Sequence, residues 1–305
     1  MRRPPLPAVP EPLPADFRAL LPALLGGRGR VDAERVERLR TRRALLSQSG
    51  TFVGHRRYER GDDLRHLDWA AYARTGELFT KRLQEEDRRA ATVVVDLSPS
   101  MLAGTPPRLR GALQLAAVIG ALMLARVDGV SVVAAGAPQP IQRFAGVGQL
   151  PALLEHLAAL PVTATSAAGA IADAAQAASL VLQGEHLGRV HWISDFAAPT
   201  GFAAPLAALR RRGIRVTGWL PTIADDEAPA VGGFVRVIDP ETGAELQVPI
   251  DEPLQKALGV ELLRLQREQA RLFAEVGSTL WRWPVPSAST AQLPDYLPIV
   301  AACSR

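Results

Sequence analysis

The sequence predicts an α/β protein: a doubly wound, mostly parallel sheet flanked by helices, with an N-terminal extension and a small β-hairpin insertion. Three observations carry that expectation. From residue 91 onward, short β-branched runs alternate with longer helical patterns, the order that yields parallel strands joined by helical crossovers. The first run, ATVVVDL at 91–97, is apolar almost throughout, so both of its faces must be covered. Finally, 305 residues, 48% hydrophobic and 22% charged, suffice for one large domain with appendages and a substantial core.

Taken in order, residues 1–14 are proline-rich and read as a disordered arm. Their two arginines have no apolar run behind them, so the stretch is not read as a secretory signal. Residues 15–90 read as a helical, charged extension. DFRALLPALL is a short helix, and VDAERVERLRTRRALLSQ a longer one with Val36, Leu39 and Leu45 among arginines. ELFTKRL, at 77–83, is strand-like within a polar, charge-dense stretch. The domain expected over 91–300 opens with the strand 91–97, then a helix over 108–126 and strands GVSVVAAG (129–136) and IQRFAG (141–146). Helices follow at 148–160 and 166–182, then the strand GRVHWISDF (188–196). A helix around PLAALRRRG ends at Gly213, a natural C-cap, and IRVTGWLP (214–221) is the next strand. VRVIDPETGAELQVPI (235–250) reads as a β-hairpin about a Pro-Glu-Thr-Gly turn. A long helix over 252–276 and a last strand at 278–285 close the domain.

Composition excludes several function classes. The net charge is +4 and the pI about 9.8, but apart from Lys81 and Lys256 the basic residues are arginines spread along the chain. No basic stripe interleaved with aromatics appears, so nucleic acid is not the expected partner. Cys303 stands alone, which rules out an internal disulfide and a cysteine-based zinc site. The run LAAVIGALMLA (115–125) is too short to span a bilayer; no integral membrane segment and a cytoplasmic location are expected. His55, His66, His156, His186 and His191 lack metal-ligand spacing. There is no G-x-x-x-x-G-K-[ST] phosphate loop and no G-x-S-x-G nucleophile elbow.

Two constellations remain. The first is VVDLSPSM, at 94–101. Asp96 ends a strand and Asp195, in WISDF, ends another. In a doubly wound sheet the ends of such strands border one crevice, beside a topological switch point. Ser98 and Ser100 lie on the loop directly after Asp96. An all-oxygen set of carboxylates, hydroxyls and waters suits Mg²⁺, with Mn²⁺ or Ca²⁺ as alternatives. Turn chemistry produces the same letters, with a serine capping the helix that follows. The motif resembles the metal-ion-dependent adhesion site of von Willebrand factor type A domains. That resemblance implies a metal held by Asp96, Ser98, Ser100, a threonine and Asp195, and completed by an acidic side chain of a partner. Thr165 matches the threonine position, with Thr163 as the alternative.

The second constellation runs from His55 to Glu86. Paired acids, arginines at short spacing and Asp68-Trp69 suggest a packed polar network rather than a solvated face. The stretch carries Arg57, Tyr58, Gly61, Asp62, Asp63, Arg65, Asp68, Trp69, Ala73, Arg74, Lys81, Glu85 and Glu86, followed at once by the strand ending in D-x-S-x-S-M. With the D-P-E-T-G turn at 239–243, it resembles the bacterial domain of unknown function 58 family. The resemblance implies a von Willebrand type A-like domain working with a MoxR-type AAA+ ATPase in assembling or activating other proteins. The expected function is therefore a non-enzymatic, metal-dependent protein–protein interaction module, in which the stretch from Gly61 to Arg74 braces the site or offers a second contact surface. The alternative is a Mg²⁺-dependent phosphohydrolase with Asp96 as nucleophile, although the position two residues on, where a proton-donating carboxylate would sit, is Ser98.

Overall fold

Two buried layers explain why the strand Ala91–Asp96 is apolar on both faces. In the computed structural model, Val93 and Val95 enter one hydrophobic cluster and Val94 the other, the alternation that a strand's period of two imposes. The structure describes residues 11–26, 51–59, 67–84, 91–125, 129–136, 140–161, 169–184, 188–223, 233–286 and 292–303, with backbone alone for 51–54, 81–84 and 169–172.

The chain forms two compact units, one of residues 1–30 with 89–305 and one of residues 31–88. Chain order begins with α1 (Ala15–Gly26), then β1 (Thr51–Arg57), α2 (Trp69–Thr75) and β2 (Phe79–Gln84). The larger unit continues with β3 (Ala91–Asp96), α3 (Arg108–Ala125), β4 (Gly129–Ala135), β5 (Gln142–Ala145), α4 (Leu150–Ala158) and α5 (Gly169–Gln183). Next come β6 (Arg189–Ile193), α6 (Pro199–Arg211), β7 (Arg215–Thr222), β8 (Gly233–Ile238) and β9 (Glu245–Ile250). It ends with α7 (Glu252–Glu275), β10 (Thr279–Pro284) and α8 (Leu293–Cys303).

Six strands form one sheet in the order β10-β7-β6-β3-β4-β5. All neighbours are parallel except β4 and β5. This is the doubly wound α/β architecture that the alternating pattern predicts. One face carries α1, α3, α4 and α8, the other α5, α6 and α7. Each large side chain taken from water into these layers stabilises by roughly 1.5–3 kcal/mol before entropy is counted. Gly218 on β7 allows close layering: a Cβ there would lie 2.4 Å from the Phe273 ring of α7. Across the sheet, the Trp219 indole donates to His191 Nδ1 at 3.1 Å and stacks on Trp281, with centroids 6.2 Å apart.

α3 carries the apolar run at 115–125 within an 18-residue helix that by length and composition alone is apolar enough to cross a membrane. Leu109, Ala112 and Leu113 continue its apolar surface, and Arg108 and Arg110 interrupt it. Here α3 is the central helix of its layer, 83% buried inside the protein. Its one deep polar side chain, Gln114, accepts from Tyr296 Oη at 2.9 Å and donates to the Pro12 carbonyl at 3.4 Å.

The N-terminus departs from the sequence expectation. Leu13, assigned to a disordered arm, is fully buried, as are Phe17 and Leu21 of α1. Phe17 packs edge-on against Tyr296 of α8 at 5.4 Å, so α1 belongs to the larger core rather than to an extension. α8 itself was not expected, nor were β1 and α2. α6 starts six residues earlier than its predicted core at 205, with Pro199 in its first turn, where the missing N–H costs nothing.

In the smaller unit β1 and β2 pair antiparallel, with an irregularity between Phe52 and Gly54. α2 is held by its ends. Asp68 Oδ1 accepts from Ala71 N at 3.0 Å, and Gly76, at φ 71°, closes the helix by donating to the Tyr72 carbonyl.

Candidate functional site

β3 leads through α3 to β4 on one side, whereas β6 leads through α6 to β7 on the other. The loops therefore part between β3 and β6, and a crevice opens at their C-terminal ends. Asp96 closes β3. Ser194 and Asp195 follow directly on β6.

Asp96 is buried and both of its oxygens are engaged. Oδ1 accepts from Ser98 N at 2.9 Å, an Asx turn that bends the chain just past the strand. Oδ2 accepts from Ser194 Oγ at 2.6 Å. The buried Ser98 heads the short 3₁₀ turn Pro99–Leu102 but makes no side-chain cap there. Its hydroxyl lies 3.0 Å from that of Ser100 instead. Turn chemistry is therefore present, and Asp96, not a serine, supplies it.

The second loop is held from three sides. Ser194 N donates to the Trp219 carbonyl at 3.1 Å, and Ser194 Oγ accepts from Phe196 N at 3.0 Å. Phe196 has φ 48°, a left-handed conformation that a bulky residue adopts only when its surroundings impose it. Burial of its ring against Phe202 and Phe273, with centroids 4.9 and 5.0 Å away, supplies the constraint. Gln269 of α7 adds two bonds, donating to the carbonyls of Asp195 at 3.0 Å and Phe196 at 3.2 Å. Arg282 of β10 in turn donates to Gln269 Oε1 at 2.8 Å. Asp195 is half-buried, and its Oδ1 accepts from Ala197 N at 3.0 Å.

Burial pushes the Asp96 carboxyl up to about 6, and the charge of nearby Asp195 adds to the rise. The hydrogen bonds from Ser194 and Ser98 pull the other way and do not prevail. A buried carboxylate with a second negative charge nearby is destabilised as an anion, and a cation would relieve it. The donor set is all oxygen, which fits a hard divalent ion in kind. Among the described residues no three acidic, histidine or cysteine side chains gather as a metal cluster. Hydroxyls and water would have to supply the remaining ligands, as Mg²⁺ sites commonly allow.

The structure thus brings together Asp96, Ser98 and Ser100, with Asp195 close enough for its charge to act on Asp96. Thr163 and Thr165 lie outside the described residues. Sequence reasoning passed over three participants. Ser194 is the direct partner of Asp96, and Gln269 braces the Asp195 loop. Glu241, in the turn between β8 and β9, accepts from Ser100 N at 3.1 Å. For Gln269 a signal existed: it shares a helical face with the buried Leu272 and Phe273, and a polar residue on such a stripe calls for a partner.

Of the second constellation, Gly61, Asp62, Asp63, Arg65, Glu85 and Glu86 lie outside the described residues, as does the side chain of Lys81. Asp68 is the organised member, because its Oδ2 also meets His55 Nε2 at 2.8 Å. Arg57 donates from Nη2 to both oxygens of Glu77, at 2.8 and 2.9 Å, an exposed pair of the kind worth at most about 1 kcal/mol. Tyr58 joins through its backbone N–H, given to the Leu78 carbonyl at 2.9 Å. The expected packing of the tryptophan is corrected. Trp69 is 64% exposed and meets Tyr72 edge-on at 6.3 Å, because the first position of a capped helix points it outward. Ala73 and Arg74 are exposed on the same helix.

Fold and site together define a doubly wound α/β protein with an acidic, hydroxyl-lined crevice at its switch point. Residues 54–268 match the family described as "Protein of unknown function DUF58", and the chain belongs to that family. Among its relatives is "Uncharacterized protein Mb1516" of Mycobacterium bovis (strain ATCC BAA-935 / AF2122/97), 27% identical over 241 residues, spanning 77% of this chain and 75% of the relative. "Uncharacterized protein Rv1480" of Mycobacterium tuberculosis (strain ATCC 25618 / H37Rv) matches to the same extent, 27% over 241 residues. Of solved structures, the conserved hypothetical protein BatB from Bacteroides thetaiotaomicron superposes with TM-score 0.41 at 14% identity, covering 70% of this chain and 98% of that one. An aerotolerance-related membrane protein from Bacteroides fragilis NCTC 9343, carrying multiple mutations to serines, gives 0.37 at 18% identity over 62% and 98%.

Proposed function

We propose that the chain is a non-enzymatic, metal-dependent interaction module whose larger unit works as a von Willebrand factor type A-like domain. Asp96, Ser98, Ser100 and Asp195, with Thr165 or Thr163, hold Mg²⁺, some of them through water. Bound there, the ion offers positive charge to which an acidic side chain of a client protein adds. A MoxR-type AAA+ ATPase is the partner that drives the assembly or activation, as the family resemblance implies. Trp69 and Tyr72, exposed on α2, give the smaller unit a surface suited to a second contact.

One observation carries the reading: a buried aspartate and a second aspartate share the switch-point crevice with two facing serine hydroxyls. The chain's own residues do the organising. Ser194 and the Ser98 amide fix the Asp96 carboxylate, and the Gln269 side chain fixes the loop that carries Asp195.

A pull-down of the MoxR-type ATPase with its client tests the proposal. Retention in Mg²⁺ that is lost in EDTA and lost again with Asp96→Asn is the expected result. Equal retention under all three conditions overturns it. Hydrolysis of p-nitrophenyl phosphate in Mg²⁺ that vanishes in Asp96→Asn would replace it with the phosphohydrolase reading.

A further inference from the structure

The β8–β9 hairpin stands apart from the central sheet and forms a two-stranded sheet of its own. Its strands are largely solvated: Phe234 is 84% exposed, Leu246 62% and Val237 50%. A hairpin with so little apolar anchoring has few contacts to hold its position. At its tip Pro240, Glu241 and Gly243 are half-buried, as are Val235, Val248 and Ile250 on the strands.

That tip is a rigid turn. Asp239 Oδ1 accepts from Glu241 N at 2.9 Å and Oδ2 from Thr242 Oγ1 at 2.5 Å. Asp239 N donates to the Ala244 carbonyl and Gly243 N to the Asp239 carbonyl, both at 2.8 Å. Gly243, at φ 72°, supplies the left-handed residue that such a turn needs. The turn therefore presents Glu241 in one direction, and Glu241 Oε1 takes the N–H of Ser100 at 3.1 Å, across 141 residues of sequence. An acidic side chain of this chain thus reaches the serine loop.

We infer that Glu241 is a built-in acidic ligand of the Ser98–Ser100 loop: it occupies the place that a client's carboxylate would take, so that client binding requires the hairpin tip to swing away. The inference rests on the metal-dependent reading above and deepens it. An anionic group competing for a site in its own chain does so at high effective concentration, so a client must outbid it or a partner must move the hairpin. The exposed strands leave little packing to oppose that motion. Until then Glu241 contributes its oxygen to the site, and the isolated chain holds a divalent ion without help.

Mn²⁺ binding followed by electron paramagnetic resonance tests this on the full chain, with Asp96→Asn, Glu241→Gln and Glu241→Ala alongside. The wild type is expected to bind Mn²⁺ alone and Asp96→Asn to lose that binding. Both Glu241 variants should bind at least about fivefold more weakly, equivalent to roughly 1 kcal/mol. Added sodium acetate at millimolar concentration should restore binding to Glu241→Ala and leave the wild type unchanged, a rescue that a merely structural role would not give. Circular dichroism melts of both Glu241 variants should match the wild type, because the tip lies outside both cores. Wild-type affinity in both Glu241 variants overturns the built-in ligand while leaving the metal site intact. Unchanged binding in Asp96→Asn overturns the metal site as well. A wild-type chain that binds no Mn²⁺ up to millimolar concentration overturns the inference, because a site that supplies its own acid needs no client.

Discussion

Asp96 accepts hydrogen bonds from Ser194 and Ser98 and still titrates well above a solvated aspartate, so burial and the Asp195 charge outweigh them. The pH dependence follows from that sign. Unfolded, the carboxyl titrates near 3.8; folded, it titrates near 6. Between those values the folded state holds more protons, so stability falls as pH rises through the window and the loss is complete above it. Two units amount to about 3 kcal/mol at most. In EDTA, calorimetric melting of the wild type should therefore fall relative to Asp96→Asn between about pH 4 and 6. Parallel profiles for the two proteins would show that Asp96 is not destabilised as an anion. Asp96, Ser98, Ser100 and Asp195 were legible in the sequence because short polar residues at the end of an apolar run mark where a strand stops and its loop begins. Glu241 was not, since nothing local to D-P-E-T-G names a serine amide 141 positions away.

At the level of elements, α7 does two jobs with one face. Leu272 and Phe273 bury against the sheet, and Gln269, one turn earlier, ties down the Asp195 loop. Gln269→Ala removes two donated bonds and the acceptor used by Arg282. A loss of about 1–3 kcal/mol in urea unfolding is expected, together with weaker Mn²⁺ binding as the loop relaxes. A change in stability with wild-type Mn²⁺ affinity would confine Gln269 to packing. The elements that periodicity foretold are those with long apolar repeats, such as β3, α3 and α7. α8 was hidden by Pro294 and Pro298, residues that normally end helices. α2 is seven residues long and relies on its caps, which is too short for any helical period to register.

Across the whole molecule, contacts rather than composition divide the chain into its two units. The proline-rich start looked like an arm because proline and polar residues dominate it, yet Leu13 and Phe17 reach the core beside Tyr296. Phe17→Ala should cost about 3–5 kcal/mol in urea unfolding of the larger unit. Trp69→Ala, at a solvated position, should stay within about 0.5 kcal/mol. The reverse ranking would return α1 to the periphery. The sheet class was legible because alternating strands and helices allow few topologies. The split into units was not, because it depends on contacts between segments separated by dozens of residues.

The Trp219 indole lies wholly inside the protein, fixed to His191 and stacked on Trp281, while its carbonyl holds the amide of Ser194, the residue that touches Asp96. Emission from buried indoles responds to small changes in local field, so events at the crevice have a native dye two bonds away. Ultraviolet excitation of the unlabelled chain would then follow occupancy in real time, with no fluorophore attached and no surface altered.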